Sequence, residues 1–274
     1  MRDMDYTSLF KNNGGKKSKV GIIGATRGYG YTLLAQIPKV ELMELRLISS
    51  RHTDECVEVL TGLGYRKEDI IICGNKEQVQ SAPGHGVLIV NDYRLVLESD
   101  ITALVECTGN TAVSSEVSAD ALKKGINVYM VSKETDSVCG PILNNIAEKH
   151  GTVYSLVNGD QPRNLLDLYS WGKVLGLEII AAGKASEYDF VWDPDTDEFT
   201  YMEGSEKPHE NIPGLKEFWH YEGPGTLEGR RKLLEKYMAV ISADLCEMNL
   251  VSNVTGLVPS DRRLNYPIAK ISEL

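Results

Sequence analysis

The residues best suited to chemistry follow short apolar runs of the chain. Thr108, Gly109 and Asn110 follow one run and are small and polar enough to pass beneath a nicotinamide ribose. Lys133 follows another run. In an open α/β sheet, ligands bind beyond the carboxyl ends of the strands, so these residues would share one crevice. A lysine there can stabilise developing oxyanion charge or bind a substrate oxygen; the alternative is an ordinary surface lysine.

A glycine-rich segment follows the first apolar run. Its pattern is G-x-x-x-G-x-G, with glycines at 24, 28 and 30 and a threonine where a second glycine is usual. Small residues let the backbone turn tightly and approach a pyrophosphate, which binds the N–H groups at the start of the next helix. A glycine-rich turn without a ligand is the alternative. The residues predicted to bind the dinucleotide are Gly24, Thr26, Arg27, Gly28, Tyr29 and Gly30.

The end of the second apolar run indicates which dinucleotide is bound. An enzyme that uses NAD has an acid about 20 residues beyond the glycines, where it binds the ribose. This chain has Ser49–His52 at that place, and the nearest acid is Asp54. A hydroxyl and a guanidinium suit a 2′-phosphate, so Ser50 and Arg51 favour NADP over NAD. A solvated basic loop is the alternative.

The second half of the chain carries further candidates. Asp160 follows the last apolar run, and Lys184 could accept or donate the proton of a substrate hydroxyl. With Glu187 and Asp189, Asp160 could bind a divalent ion through hard oxygen ligands. Solvated acids of an acidic chain are the plain alternative. The predicted substrate-binding residues are Asn158, Gln161 and Asn253, the last sharing a helix face with Asn249.

Short apolar runs alternate with amphipathic stretches over residues 19–157. The runs are continuous, which is typical of strands buried on both faces of a parallel sheet. Residues 29–37, which follow the first glycines, and residues 111–124, whose apolar residues have helical spacing, are predicted helices, as are residues 141–150, because proline suits a first turn. The alternation predicts a Rossmann-type doubly wound α/β sheet, followed by a smaller α+β catalytic domain. The predicted strands are Lys19–Ile23, Leu45–Ser49, Gly86–Val90, Ala103–Cys107, Asn127–Val131 and Thr152–Leu156.

The pattern changes after residue 158. We expect a helix over 165–175, a strand over 178–183 and one long helix over 229–248. Residues 192–214 are acidic and rich in proline and glycine, which predicts a long excursion or lid rather than a core element. The predicted organisation is a flexible arm over 1–18, an NAD(P)-binding domain over 19–157 and a catalytic domain over 158–274.

The 274-residue chain carries a net charge of −10 and has a pI near 5.1. Sequence-independent nucleic-acid binding needs clustered Lys and Arg, so an acidic chain is a poor candidate for it. The apolar runs are far shorter than the roughly 20 residues that span a bilayer. The five cysteines lack zinc-knuckle spacing. We expect a reduced, cytoplasmic enzyme that binds a small molecule but neither nucleic acid nor membrane, and that forms a homodimer or homotetramer.

Several segments resemble homoserine dehydrogenase. Within Ala121–Glu134 a predicted helix ends in glycine and a strand then leads to a Ser-Lys pair, and Val105–Gly109 resembles that family's Glu-x-Thr-Gly strand end. Val157–Pro162 stands where the family has Val-Asn-Gly-Thr-Thr-Asn, but it contains Asn-Gly-Asp-Gln-Pro. That form, like residues 179–185 and 245–257, is similar to a branch containing deoxyxylulose-phosphate reductoisomerase-like enzymes and related sugar-acid oxidoreductases. The resemblance spans about residues 19–260.

The resemblance implies an NAD(P)-dependent oxidoreductase, with reductoisomerase as one form, that acts on a small polar hydroxy or keto substrate such as a sugar acid or sugar phosphate. It implies that Lys133 lies at the nicotinamide. In the reading we favour, Lys133 and Lys184 polarise the substrate oxygen, and Asp160 orients the substrate or, if the step includes isomerisation, binds a metal. The catalytic Asp and Lys pair of homoserine dehydrogenase has no clean match here. Homoserine dehydrogenase itself and a non-catalytic NADP-binding accessory or sensor protein are the alternatives. The branch carries a further C-terminal domain, so we expect a truncated chain or a short member.

Overall fold

The computed structural model describes residues 16–184, 190–201, 209–238, 245–259 and 267–273. The chain divides into two compact units, residues 1–164 and 165–274. No helix among the described residues is long and apolar enough to cross a membrane.

The first unit is built on a seven-stranded sheet. Its strands are β1 Ser18–Ile23, β2 Met43–Ser49, β3 Ile70–Cys73, β4 Val87–Val90, β5 Ala103–Glu106, β6 Asn127–Met130 and β7 Tyr154–Leu156. They pair in the order β3-β4-β2-β1-β5-β6-β7, and every pairing is parallel. The strand order reverses at β1, which places a crevice beyond the carboxyl ends of β1 and β5. The predicted doubly wound α/β sheet is confirmed.

Two apolar clusters form the core, one on each face of this sheet. Neighbouring residues of a strand point to opposite faces, so Ile23 and Leu47 belong to one cluster while Ile22 and Ile48 belong to the other. This explains why the strands are continuous apolar runs in the sequence. The helices are α1 Gly28–Gln36, α2 Thr53–Gly62, α3 Lys76–Ser81, α4 Thr111–Lys123, α5 Lys133–His150 and α6 Gln161–Val174.

Helix α5 corrects one sequence prediction. It begins at Lys133, and Pro141 lies inside it instead of in its first turn. An interior proline removes one backbone hydrogen bond and crowds the preceding turn. The helix continues because Leu143 and Ala147 are buried on its inner face, and it ends at Gly151 in the left-handed conformation. Burial of this face overrides the local preference.

The described residues of the second unit form a three-stranded antiparallel sheet and further helices, in addition to most of α6. The strands are β8 Phe190–Asp193, β9 Glu198–Tyr201 and β10 His209–Glu210, and the helices are α7 Pro224–Leu233, α8 Glu235–Met238 and α9 Leu245–Thr255. Trp192 and Phe199 are buried in an aromatic cluster with Leu215 and Tyr237. The lid predicted over residues 192–214 is therefore wrong for its described part. Asp195 and Asp197 lie in the turn between β8 and β9, two strands whose inward side chains are aromatic.

Other predictions for this part of the chain also change. Helix α6 begins at Gln161 instead of 165. No strand forms over residues 178–183, where Ile180 is 87% exposed and therefore packs against little. The single helix predicted over 229–248 is wrong, because α7 ends at Leu233 and α8 follows Leu234. Strand β3 and helices α2 and α3 have no counterpart among the predicted elements.

Candidate functional site

The glycine-rich loop joins β1 to α1 in a conformation that excludes larger residues. Gly24 has a φ of +84°, and a Cβ added there would lie 2.8 Å from the carbonyl oxygen of Cys107. A Cβ added at Gly30 would lie 2.5 Å from the carbonyl oxygen of Gly24. Gly28 has a φ of +55°, and nothing lies within 4 Å of its added Cβ. The loop therefore packs tightly against β5 and α1 but leaves its middle open to a ligand.

The start of α1 has the features of an anion-binding helix terminus. Arg27, the residue before the helix, has an extended backbone and makes no side-chain capping bond, and the first turn contains no acid. The first N–H groups of a helix lack intrahelical partners and carry the positive end of its dipole. The Arg27 side chain is 87% exposed and forms an ion pair with Glu55 at 3.6 Å. These residues fit the pyrophosphate of a dinucleotide.

Arg51, which follows β2, carries a guanidinium group that could bind a phosphate. The hydroxyl of Ser50 accepts a hydrogen bond from the backbone N–H of His52 at 3.2 Å. Arg51 is exposed, and among the residues that the structure describes it forms no ion pair. Glu55, in the first turn of α2, pairs instead with Arg27. The side chain of Arg51 can therefore turn toward a phosphate.

The loop after β5 is held by its own side chains. The Thr108 hydroxyl donates to Glu106 at 2.6 Å and accepts from the backbone N–H of Asn110 at 3.0 Å. The Asn110 side chain accepts from the backbone N–H of Val113 at 3.1 Å and thereby caps α4. Thr108 and Asn110 thus shape the loop, and the backbone of residues 108–110 is what it presents to a ligand.

Glu106, the last residue of β5, is a feature that the sequence analysis missed. It is fully buried, and its carboxylate accepts hydrogen bonds from the Thr108 backbone and hydroxyl, from Ser114 at 2.7 Å and from Ser132. A buried polar group needs such partners because a buried donor or acceptor without a hydrogen bond destabilises the folded protein. An acid inside a continuous apolar run is the sequence signal that could have marked it.

Lys133 and Asp160 come together at the ends of β6 and β7. The Nζ atom of Lys133 lies 3.9 Å from Oδ1 of Asp160, and their side chains are 22% and 28% exposed. The same Asp160 oxygen accepts a hydrogen bond from the backbone N–H of Gln161 at 2.9 Å. We call Lys133, Asp160 and the loops 24–30, 50–51 and 108–110 the strand-end site.

Tyr29 of the glycine-rich loop is close enough to Asp160 to feel its charge. The pKa of the Tyr29 hydroxyl is raised, chiefly by partial burial and to a smaller extent by the negative charge of Asp160. Burial also raises the pKa of the Cys107 thiol, with a smaller contribution from Glu106. Cys107 therefore stays a neutral thiol at physiological pH, and a thiolate nucleophile is not available at this position.

The other predicted residues have different placements. Asn158 and Gln161 are exposed beside Asp160. Lys184 and Asn253 belong to the second unit, where Asn253 is exposed on α9. Glu187 and Asp189 lie outside the described residues. Within the described ranges, no three His, Cys, Asp or Glu side chains form a group that could hold a metal ion.

A cavity of about 420 Å³ lies away from the strand-end site. It opens beside the starts of β2, β3 and β4, and its lining includes Met43, Tyr65 and Ile70. Ligands of open parallel sheets bind at the opposite, carboxyl edge, so this cavity has no part in chemistry at the strand-end site.

No protein-family model matches the chain, and no curated protein matches it. It is similar to part of scyllo-inositol dehydrogenase from Lactobacillus casei with bound NAD(H) and scyllo-inositol, at 18% identity and a TM-score of 0.41, over 58% of this chain and 42% of that one. It is also similar to WlbA dehydrogenase from Bordetella pertussis in complex with NADH and UDP-GlcNAcA, at 14% identity and a TM-score of 0.42, over 59% of this chain and 44% of that one. A third similar structure is 1-deoxy-D-xylulose 5-phosphate reductoisomerase from Zymomonas mobilis in complex with NADPH, at 16% identity and a TM-score of 0.42, over 56% of this chain and 41% of that one. This chain thus spans less than half the length of each of these three proteins.

Proposed function

We propose that the chain is an NADP-dependent oxidoreductase that interconverts a secondary alcohol and a ketone, or an alcohol and an aldehyde, on a small polar substrate such as a sugar acid or sugar phosphate. The observation that supports this most is the placement of Lys133 beside Asp160 at the same sheet edge as the glycine-rich loop. A cation at that edge can act on a substrate oxygen next to a bound dinucleotide.

The residues of the first unit fit a dinucleotide. The open backbone at Gly28 and the uncapped start of α1 would receive the pyrophosphate, and Arg51 would pair with a 2′-phosphate. The backbone of residues 108–110 would support the nicotinamide ribose. When bound, the dinucleotide supplies or accepts a hydride.

Lys133 would polarise the substrate oxygen. An ammonium group that donates to a carbonyl or alkoxide oxygen stabilises the negative charge that develops there. The neighbouring carboxylate of Asp160 attracts Nζ and limits the directions in which it can point. We propose this orienting role for Asp160 in place of metal binding, because among the described residues Asp160 belongs to no group of acids, histidines or cysteines that could supply the several ligands a divalent ion needs.

A substrate panel tests the proposal. Sugar acids, phosphorylated polyols, their keto forms and homoserine are incubated with NADPH or NADP⁺, and the dinucleotide absorbance is followed. The proposal expects turnover of a sugar acid or polyol phosphate. Turnover of homoserine alone would favour homoserine dehydrogenase. Tight NADPH binding without turnover of any compound would favour the accessory or sensor protein.

A further inference from the structure

Ser132 connects two loops of the strand-end site. Its hydroxyl donates to Oε2 of Glu106 and accepts a hydrogen bond from the backbone N–H of Gly109 at 2.8 Å. Ser132 is 4% exposed and directly precedes Lys133. One buried hydroxyl thus joins the start of α5 to the loop after β5.

The Ser132 hydroxyl does not cap the helix that it precedes. Serine before the first turn of a helix commonly caps it by accepting from a backbone N–H of that turn. Ser132 has the capping position of α5 but makes no such bond, because its hydroxyl is taken by Glu106 and Gly109. Capping would stabilise α5 on its own. The bonds that the Ser132 hydroxyl makes instead hold the start of α5 against the loop at 108–110.

Glu106 is the centre of this joint. Its Oε1 atom accepts both bonds from Thr108, and its Oε2 atom accepts those of Ser114 and Ser132. A carboxylate can accept at both oxygens, whereas an amide would present a donor to one of these pairs. An acidic side chain at this buried position therefore fixes the loop at 108–110 and the start of α5 together.

We propose that Glu106 is a positioning residue that, through Ser132, holds the backbone of residues 108–110 and Lys133 in one fixed arrangement. This inference rests on the proposed function, in which those two parts contact the dinucleotide and the substrate. Glu106 itself touches neither.

Ser114 provides a matched control for the test. Ser114 and Ser132 each donate a hydroxyl to the same Oε2 atom, and both are buried. The Ser114 hydroxyl bonds to Glu106 and Met130, whereas only its backbone N–H reaches the loop at 108–110, where it donates to the Asn110 carbonyl, a bond that Ser114→Ala keeps. Ser114→Ala and Ser132→Ala should therefore lower the free energy of unfolding by similar amounts. Only Ser132→Ala removes the hydroxyl that bonds both Glu106 and the Gly109 backbone.

Two measurements distinguish the variants. Titration with NADPH should show that Ser132→Ala weakens binding about tenfold, the effect of losing a hydrogen bond that orders the site. Brief acetylation with acetic anhydride, read by peptide mass spectrometry, should show Lys133 reacting about threefold faster or more in Ser132→Ala, because a hydrogen bond of ordinary strength no longer orders its backbone. Ser114→Ala should change neither measurement by more than about twofold. In a Glu106→Gln background, Ser132→Ala should add less than it does alone.

Equal NADPH affinities and equal Lys133 acetylation in the two serine variants would overturn the positioning role and leave Glu106 as a structural residue. The acetylation result does not depend on the cofactor. If the unmodified chain bound neither NADPH nor NADH, the proposed function would be wrong, while a faster reaction of Lys133 in Ser132→Ala alone would still support the joint.

Discussion

The side chains of Lys133 and Asp160 face each other across 3.9 Å at the starts of α5 and α6. Both helices follow adjacent strands of the sheet, β6 and β7, so the pair is set by the fold and not by a free surface loop. Each side chain is partly shielded from water, which strengthens the attraction relative to a fully exposed pair. The result is an oriented cation at the edge where a doubly wound sheet binds its ligands.

Replacing Lys133 tests its role in turnover. Lys133→Ala should lower turnover about 100-fold or more, as expected for the loss of an electrostatic stabiliser. Its thermal stability should be close to that of the parent, since a partly exposed lysine contributes little packing. Lys123→Ala, which removes a lysine that is 51% exposed at the end of α4, is the control and should keep its turnover. Near-parental turnover in Lys133→Ala would make Lys133 an ordinary surface residue.

The charge of Asp160 can be removed while its shape is kept. Asp160→Asn retains an oxygen that can accept from the Gln161 N–H but no longer attracts Lys133. We expect turnover to fall about tenfold, because an oriented charge partner is lost, and we expect no response of either protein to a chelator. Inhibition of the parent by EDTA, with Asp160→Asn insensitive to it, would show instead that Asp160 binds a metal.

Two glycines of the same loop should respond differently to alanine. Gly30→Ala places a methyl group against backbone atoms of Gly24 and Ala25, which cannot move aside as a side chain could. We expect a loss of about 1–3 kcal/mol in the free energy of unfolding by urea and failure to bind NADPH. Gly28→Ala meets no atom and should cost only about 1–2 kcal/mol, for its left-handed backbone. A Gly30→Ala variant no worse than Gly28→Ala would contradict the tight packing of this loop.

Much of the parallel sheet could be predicted from the sequence, because strands buried on both faces are continuous apolar runs. β1, β2, β4, β5 and β6 were predicted within about two residues. The antiparallel hairpin of β8 and β9 was missed, because the acids Asp193 and Glu198 at the facing ends of the two strands stand next to the inward Trp192 and Phe199 and interrupt the apolar pattern. Pro141 misled the prediction of α5, because proline is rarer inside a helix than at its start.

The candidate site was harder to predict than the fold. Lys133 and Asp160 were named for their positions at strand ends, but their proximity depends on β6 and β7 being neighbours. The sequence analysis gave Asp160 a role in orienting the substrate but no partner, and the structure places Lys133 beside it. Glu106 and Ser132 could not be paired from spacing, because a contact between different strand ends has no local sequence pattern.

Asp136 predicts a pH effect on stability. It is buried on α5, accepts a hydrogen bond from the Tyr154 hydroxyl, and has its pKa raised by burial. The folded state therefore binds this proton more tightly than the unfolded state, so stability falls as pH rises from the unfolded pKa through the folded one. Asp136→Asn should remove that fall and be the more stable protein at neutral pH. Urea unfolding at a series of pH values measures this; parallel curves for the two proteins would contradict it.

Calorimetric titration of the parent and of Arg51→Ala with NADPH and NADH tests the account most directly. The parent should bind NADPH with a preference of about 2 kcal/mol, roughly thirtyfold, over NADH, the size of a charge-assisted contact to the 2′-phosphate. Arg51→Ala should lose most of that preference and keep its affinity for NADH. Equal affinities in the parent, or an unchanged preference in the variant, would contradict the NADP assignment, and no binding of either dinucleotide would contradict the proposed function as a whole.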